Sequence, residues 1–257
     1  MRQKISGILN KKNKKKLVCL TAYSKPVAKI LDKYCDIILV GDSLATAMYG
    51  MKNTHQINID TMIQHAVSVN SNLKKALCVV DMPINTYNNI KQAKINARLI
   101  FKKTKCDAVK VECNGKNFDI MKSLVNMGMP VMGHIGFTPQ YYNKFKTQGA
   151  DDKDRIKLID QAVKCEKAGV FSIVLECIKT SVAKEITKTI QIPTIGIGSS
   201  VYCDGQILVT DDMLGLSGFY PRFVKKFAKL DNIIDKGIAK YKKGVLSKKF
   251  PSVKNSF

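Results

Sequence analysis

Short apolar runs rich in β-branched residues alternate with longer segments of helical periodicity along most of the chain. In the longer segments, apolar residues recur three and four positions apart, which is typical of helices with one buried face. The short runs are apolar nearly throughout, which predicts parallel strands covered on both sides. The predicted strands are residues 17–22, 36–40, 76–80, 108–111, 131–134, 171–175, 193–197 and 212–216.

Eight strand-and-helix repeats in a chain of 257 residues match the number and length of an α/β fold of the TIM (β/α)8 barrel type. A doubly wound open sheet is the alternative, but the repeat count and the length favour the barrel. We expect a short N-terminal helix before the first strand, and one domain over residues 1–257. The longest irregular segment, residues 136–153, is predicted to be a functional loop. The predicted helices are residues 61–73, 90–103, 117–126, 156–168 and 181–190.

The charge of the chain is strongly positive, with 43 Lys and Arg against 20 Asp and Glu and a formal net charge of +23. This raises the possibility of nucleic-acid binding. The lysines are spread along the chain, however, and the sequence has no zinc-finger spacing, RNP-like segment or basic region leading into heptads. We therefore predict no nucleic-acid partner, with a basic nucleic-acid-binding protein on a barrel scaffold as the alternative. The basic run at residues 11–16 is predicted to be a solvated linker.

Cysteine usage and hydropathy indicate the compartment. The eight cysteines are scattered and include no Cys-x-x-Cys pair, which is typical of free thiols in a reducing environment. No apolar run approaches the roughly 18–20 residues that a membrane span requires. The apolar stretch at residues 17–20 is too short for a signal-peptide core. We expect a cytoplasmic protein that does not contact a membrane.

Ionisable residues stand at the ends of five successive predicted strands: Asp42, Asp81, Glu112, His134 and Glu176. Taken singly, each has an ordinary explanation, such as an Asp that caps the next helix. In a barrel, however, the carboxyl ends of all strands open on one mouth, where such enzymes carry their chemistry. Carboxylates gathered in one cleft repel each other, and a divalent cation relieves the repulsion.

The donor atoms favour one kind of metal. Asp42, Asp81 and Glu112 offer hard oxygen ligands, which suit Mg²⁺. Lys110 lies two residues before Glu112, so both face the same side of a strand. An ammonium beside a metal indicates an anionic substrate, such as a 2-oxo acid that chelates the cation and is enolised. Glu176 stands apart from the ligands and is the candidate general base. The spacing of these residues does not identify the electrophile.

Eight short segments, together with their order, carry a family resemblance from about residue 17 to about residue 230. They are Leu20-Thr21-Ala22-Tyr23, Val40-Gly41-Asp42-Ser43-Leu44, Asp81-Met82-Pro83, Val109-Lys110-Val111-Glu112, Gly133-His134-Ile135-Gly136-Phe137-Thr138-Pro139-Gln140, Leu175-Glu176-Cys177, Ile195-Gly196-Ile197-Gly198 and Asp204-Gly205-Gln206-Ile207-Leu208-Val209. The fifth and the last are the most specific. In these segments the sequence resembles the 3-methyl-2-oxobutanoate (ketopantoate) hydroxymethyltransferase family.

The resemblance implies a TIM barrel that acts in pantothenate biosynthesis. It implies transfer of a hydroxymethyl group from 5,10-methylenetetrahydrofolate, as co-substrate, to 3-methyl-2-oxobutanoate, which gives 2-dehydropantoate and tetrahydrofolate. It also implies a homo-oligomer, a decamer. An Mg²⁺-dependent lyase or mutase of the isocitrate lyase/phosphoenolpyruvate mutase kind is the alternative, because it too uses an enolate. Lyases of that group carry a Lys-Lys-Cys-Gly-His segment, which this sequence lacks.

The same motifs assign roles to individual residues. By resemblance, Asp42 and Asp81 bind Mg²⁺ directly, Glu112 completes the shell, and Glu176 accepts the proton. The residues implied to bind the 2-oxo acid are Asp42, Ser43, Asp81, Lys110 and His134. The sequence departs from the usual family pattern at Ser24, Ser199-Ser200, Asp211-Asp212 and residues 143–146, all of which lie outside the metal, substrate and base positions.

Overall fold

A closed barrel of eight parallel strands forms the larger of two compact units in the computed structural model, which describes residues 2–113, 115–142, 146–218 and 220–257. The unit spans Met1–Val209. Each strand pairs with the next along the chain, and the last pairs with the first. The predicted TIM barrel is confirmed. The strands are β1 (Leu17–Thr21), β2 (Ile37–Val40), β3 (Leu77–Asp81), β4 (Ala108–Glu112), β5 (Val131–Gly136), β6 (Ser172–Glu176), β7 (Thr194–Ile197) and β8 (Gly205–Leu208).

Helices alternate with these strands, and one short helix precedes β1 as predicted. Asparagine or aspartate caps three of them: Asn58, Asn89 and Asp151 each accept a hydrogen bond from the backbone N–H three residues on. The Asp151 cap starts its helix four residues before the predicted position 156. The helices are α1 (Arg2–Leu9), α2 (Lys25–Leu31), α3 (Leu44–Ala47), α4 (Ile59–Asn70), α5 (Ile90–Thr104), α6 (Phe118–Asn126), α7 (Asp152–Lys167) and α8 (Thr180–Thr189).

The eighth strand was predicted in the wrong place. It is Gly205–Leu208, whereas residues 212–216 contain the end of a short helix, α9 (Thr210–Leu214), and the turn after it. The pair Asp204-Gly205 is ordinarily a turn signal, but here the glycine begins a strand. A Cβ on Gly205 would lie 2.6 Å from Leu17 Cβ and 2.7 Å from Leu17 O. The glycine is therefore required by the close approach of β8 to β1.

Alternate residues of each strand build two separate apolar layers. On β3, Leu77 and Val79 belong to the cluster inside the barrel, while Cys78 and Val80 pack in the cluster between strands and helices. Because side chains alternate along a strand, Asp81 faces inward with Leu77 and Val79. The apolar filling of the barrel is thus replaced by charged groups at the carboxyl ends of the strands.

The N-terminal basic run packs against the barrel, so the prediction of a solvated linker at residues 11–16 is wrong at Lys12. The Lys12 ammonium is buried, donating to Asp204 Oδ2 at 2.8 Å and to Thr187 O at 2.7 Å. Asp204 Oδ2 also accepts from the backbone N–H of Thr194 at 2.9 Å. The run is therefore a structural anchor between the N-terminal segment, α8 and the segment that enters β8, while Lys14 is exposed.

We expect Lys12→Met to destabilise the protein by about 3–5 kcal/mol, because it leaves the buried carboxylate of Asp204 without its cation. Urea unfolding followed by circular dichroism measures the loss. Lys14→Met removes the same charge from an exposed position of the same run and should change the free energy of unfolding by less than about 0.5 kcal/mol. Equal losses in the two variants would contradict the anchoring role.

The smaller unit, Thr210–Phe257, contains α9, the helix α10 (Leu230–Leu246) and a 3-10 turn at Val253–Asn255. None of the residues of α10 is buried, and its exposed side chains include Ile233, Ile238 and Tyr241. No helix in the part of the chain that the structure describes is long and apolar enough to cross a membrane. The single domain expected over residues 1–257 stays a prediction. All eight cysteines are free and buried.

Candidate active site

Three strands end in a carboxylate at the same end of the barrel. Asp81, Glu112 and Glu176 are the last residues of β3, β4 and β6. Lys110 shares the inward face of β4 with Glu112, and the register places it beside Asp81. All four side chains are buried. The alternation that fills the barrel with apolar side chains thus gathers these charged groups in one mouth.

Asp42 and Ser43 reach the same mouth from the turn between β2 and α3. The backbone N–H of Asp42 donates to Asp81 Oδ2 at 3.0 Å, which holds the two aspartates next to each other. Asp42 is buried. Ser43 Oγ is hydrogen bonded to the Tyr23 hydroxyl at 2.8 Å. The turn therefore adds one carboxylate and one hydroxyl to the groups on the strands.

Lys110 provides a positive charge at the centre of the cluster. Its Nζ lies 3.1 Å from Asp81 Oδ1 and 3.9 Å from Glu112 Oε1. Burial acts to lower the pKa of Lys110, but the charges of Asp81, Glu112 and Asp42 outweigh it and raise that pKa above its ordinary value. The side chain is therefore a permanent ammonium.

His134 joins this cluster to Glu176. Its Nδ1 lies 3.3 Å from Lys110 Nζ, and its Nε2 lies 3.2 Å from Glu176 Oε2. Burial and the neighbouring ammonium lower the pKa of His134, which keeps the ring neutral. Burial raises the pKa of Glu176, while His134 partly offsets this. Glu176 is thus separate from the aspartates, as predicted, and it lies beside His134.

The carboxyl groups around Lys110 outnumber its single positive charge. Burial, Asp81 and Glu112 raise the pKa of Asp42. Burial raises the pKa of Glu112 to about 7, although Lys110 and the Gln140 backbone N–H act to lower it. Full ionisation of Asp42, Asp81 and Glu112 would leave two negative charges in excess of the one ammonium, and a divalent cation would neutralise them.

The carboxylate oxygens suit a hard cation that binds only a few protein ligands and completes its coordination shell with other oxygens. Among the residues that the structure describes, no group of three or more His, Cys, Asp and Glu side chains forms a ready-made metal site. Mg²⁺ commonly binds through one or two carboxylates and completes its octahedron with water and substrate oxygens. The adjacent carboxylates of Asp42 and Asp81 fit that pattern, whereas Glu112 Oε1 already lies 3.3 Å from His134 Nδ1.

Two residues of the site were missed in the sequence. Gln140, in the loop after β5, donates through Nε2 to Asp42 Oδ2 at 2.7 Å. Its side-chain oxygen, Oε1, accepts from the Tyr87 hydroxyl. The sequence did carry a signal for Gln140, because it is the polar residue that ends the family-specific segment after His134. Gly136 ends β5 just before that loop with φ +95°, and a Cβ there would lie 2.3 Å from Glu176 O. Tyr87 lies in an irregular segment without any such signal.

The structure describes most of the residues that depart from the family pattern. Ser24 is the N-cap of α2, and Ser199 donates to Ile178 O at 3.1 Å. Asp211 and Asp212 are in the first turn of α9. Of the predicted departure at residues 143–146, positions 143–145 lie outside the described residues.

Glu112 should make the metal-free protein sensitive to pH. Its folded pKa of about 7 exceeds the ordinary value of 4.5, so the folded state binds this proton more tightly than the unfolded chain. This contribution to stability is fully present below about pH 4.5 and is lost as the pH rises through about 7. With EDTA present, we expect the unfolding temperature of the parent to fall more between about pH 5 and about pH 7.5 than that of Glu112→Gln. Equal falls would contradict the raised pKa.

Comparison with known sequences identifies close relatives over the whole chain. A family model described as "Ketopantoate hydroxymethyltransferase" matches residues 2–253. The chain is 49% identical to the 3-methyl-2-oxobutanoate hydroxymethyltransferase of Pelagibacter ubique (strain HTCC1062) over 257 residues, with 100% of both chains covered. It is 46% identical to the protein of the same name from Anaplasma marginale (strain Florida), covering 96% of this chain and 90% of the relative.

Solved structures share the fold at low sequence identity. A phosphonopyruvate hydrolase aligns with a TM-score of 0.65 at 10% identity, covering 98% of this chain and 92% of that one. A 2,3-dimethylmalate lyase, described as a PEP mutase/isocitrate lyase superfamily member, aligns with a TM-score of 0.59 at 11% identity, covering 94% and 87%. At these identities the similarity concerns the barrel alone.

Proposed function

The chain belongs to the ketopantoate hydroxymethyltransferase family, and we propose that its barrel mouth carries out the Mg²⁺-assisted reaction of 3-methyl-2-oxobutanoate with 5,10-methylenetetrahydrofolate. The chain is accordingly a hydroxymethyltransferase of pantothenate biosynthesis. The observation that supports the proposed mechanism is a cluster of carboxyl groups around Lys110, together with a buried Glu176 that stands apart from it. The full-length family match favours this activity over a lyase or mutase, with which only the fold is shared.

Asp42 and Asp81 would hold the cation, with Glu112 completing the set from beside them. When bound, Mg²⁺ supplies positive charge next to the 2-oxo oxygen, where negative charge develops as the C3 proton leaves. The Lys110 ammonium, 3.1 Å from Asp81, binds the carboxylate of the 2-oxo acid. Ser43 and His134 line the same pocket. These residues fix the substrate so that its C3 hydrogen faces the base.

Glu176 removes the C3 proton. Its raised pKa makes it a stronger base than an exposed glutamate, and burial protects it from water. His134 Nε2 lies 3.2 Å from Oε2, so the neutral ring borders the base on one side. Loss of the proton gives an enolate, and its C3 forms a bond to the methylene carbon of the co-substrate. The bonds between that carbon and the folate nitrogens break, and one water supplies the hydroxyl oxygen, which gives 2-dehydropantoate and tetrahydrofolate.

An open cleft beside the mouth supports the assignment of a second, larger substrate. It has a volume of about 640 Å³, and Lys91, Lys116 and Phe118 contribute to its lining. Asn117, at the same cleft, donates to Glu112 O at 3.1 Å and so connects it to the mouth. An aromatic side chain and two ammonium groups suit a ligand with a ring and acidic groups, as a folate has.

The test is product formation by the purified protein. With 3-methyl-2-oxobutanoate, 5,10-methylenetetrahydrofolate and Mg²⁺, we expect 2-dehydropantoate by mass spectrometry, and we expect EDTA to abolish it. Failure to form product would contradict the substrate assignment, and unchanged turnover after exhaustive metal removal would contradict the role of the cation. We also propose a homodecamer, as the family resemblance implies. The exposed apolar side chains of α10 support a contact between copies of the chain, and light scattering would measure the number of copies.

A further inference from the structure

One polar side chain of the loop between β5 and α7, that of Gln140, lies in the mouth of the barrel. The backbone N–H groups of Tyr141 and Tyr142 donate to Thr138 O at 2.9 and 3.0 Å, which forms a tight turn around Gln140. Gln140 is only 2% exposed, although it lies in a loop. A long polar side chain is buried in this way only where its hydrogen-bonding groups are satisfied.

Gln140 contacts two carboxylates of the cluster at once. Its backbone N–H donates to Glu112 Oε2 at 3.0 Å, and its side-chain Nε2 donates to Asp42 Oδ2 at 2.7 Å and to Met82 O at 3.0 Å. Both neighbours of Nε2 are acceptors, so the two amide hydrogens are used. The loop is thereby tied to β4, to the β3 end and to the turn after β2.

Tyr87 fixes the orientation of the amide. A glutamine side chain can be rotated to exchange its oxygen and nitrogen, but here its Oε1 accepts from the Tyr87 hydroxyl. A flipped amide would place Oε1 against the Asp42 carboxylate and the Met82 carbonyl, which are both acceptors. Tyr87 therefore donates a hydrogen bond to Gln140, and Gln140 donates one to Asp42.

Asp42 needs such a partner more than its neighbours do. Asp81 and Glu112 belong to strands and lie 3.1 and 3.9 Å from the Lys110 ammonium. Asp42 lies in a turn, and the like charges of Asp81 and Glu112 repel it. A donor on Oδ2 keeps its carboxylate in the mouth and leaves Oδ1 free to approach a cation.

We propose that Gln140, oriented by Tyr87, is a positioning residue that holds Asp42 and Glu112 in place for the divalent cation. This inference rests on the proposed function, because it assumes that the cluster binds Mg²⁺. Gln140 acts through the carboxylates and contacts no reacting atom. Without the Gln140 side chain, we expect the protein to bind the cation more weakly. The chemical step should be unchanged once the cation is bound.

Mn²⁺ binding, followed by electron paramagnetic resonance, tests the role without turnover. Loss of an outer-shell hydrogen bond to a metal ligand typically weakens binding by about 10- to 100-fold, which we expect for Gln140→Met. Tyr87→Phe, which removes only the orienting hydroxyl, should weaken it about fivefold. Gln148→Met makes the same chemical change in the same loop, at a side chain that donates to the backbone oxygen of Lys146, and should leave Mn²⁺ affinity within about twofold. At saturating Mg²⁺, kcat of Gln140→Met should return to within about threefold of the parent, since the base is untouched.

The outcomes separate the two proposals. A parent protein that binds no Mn²⁺ would overturn the proposed metal chemistry and, with it, the role of Gln140. A parent that binds Mn²⁺, together with a Gln140→Met variant of equal affinity, would overturn the role of Gln140 alone. A variant with normal affinity and lost kcat would do the same. If Gln140→Met does not fold, unchanged Mn²⁺ affinity in Tyr87→Phe would overturn the inference.

Discussion

Glu176→Gln is expected to abolish exchange of the C3 hydrogen of 3-methyl-2-oxobutanoate with deuterated water. The amide cannot accept the proton, and general-base catalysis typically contributes 10²- to 10⁴-fold, so the exchange rate should fall by about that factor. Proton NMR of the substrate in the presence of Mg²⁺ measures it directly, and leaving out the folate isolates this step from the transfer. The side chain keeps its shape, so we expect substrate and cation to bind as in the parent.

Glu185→Gln provides the matched control for this variant. Glu185 lies on the outer helix α8, where it pairs with Arg155 at 2.6 Å, and it should leave the exchange rate unchanged. Exchange at the parent rate in Glu176→Gln would show that another group removes the proton. Loss of exchange in both variants would indicate general damage to the fold instead of loss of a base.

Lys110→Met is expected to have the second largest effect, on both stability and substrate binding. It removes the ammonium that lies among three buried carboxyl groups, and breaking a buried ion pair costs about 3–5 kcal/mol. Added Mg²⁺ should restore part of this stability, because the cation replaces the lost positive charge. The KM for the 2-oxo acid should rise roughly 10- to 100-fold, the value of a hydrogen bond to a charged group. Chemical denaturation with and without Mg²⁺ and initial-rate kinetics measure the two effects.

The control for this variant is Lys103→Met, which removes a lysine charge from an exposed position on α5. It should change the free energy of unfolding by less than about 0.5 kcal/mol and leave KM unchanged. If Lys110→Met kept the parent KM, the ammonium would not bind the substrate carboxylate. If it kept the parent stability as well, the carboxylates would be neutral in the folded protein.

The strand-end residues could be predicted because two periodic patterns coincide. Apolar runs locate the strands, and the alternation of side chains places Asp81 and Glu112 on the same face as the residues that fill the barrel. Closure of the barrel then brings all the strand ends together. The fold and the composition of the mouth follow from local sequence for this reason, whereas the roles of the residues remain predictions until the variants are measured.

Contacts that depend on distant segments could not be predicted in the same way. Lys12 resembles its exposed neighbours in the basic run, and only the folded chain brings Asp204 to it. The start of β8 at Gly205 carries a turn signal, and its strand character comes from its pairing with β1. Gln140 and Tyr87 meet across two loops, for which no periodic pattern exists. Each of these features is set by tertiary packing.

The contact between Lys12 and Asp204 also has a consequence during synthesis of the protein. The two residues are 192 positions apart, and the pairing of β1 with β8 joins parts of the chain at a similar distance. At roughly 5–20 residues per second, the ribosome needs about 10–40 s after making Lys12 to deliver its partner. Over that interval β1 has one unpaired edge, and the ammonium of Lys12 has no carboxylate to bind. A nascent chain halted before position 204 lacks β8 and cannot close the barrel, and an unpaired strand edge of this kind is a site for pairing with other chains.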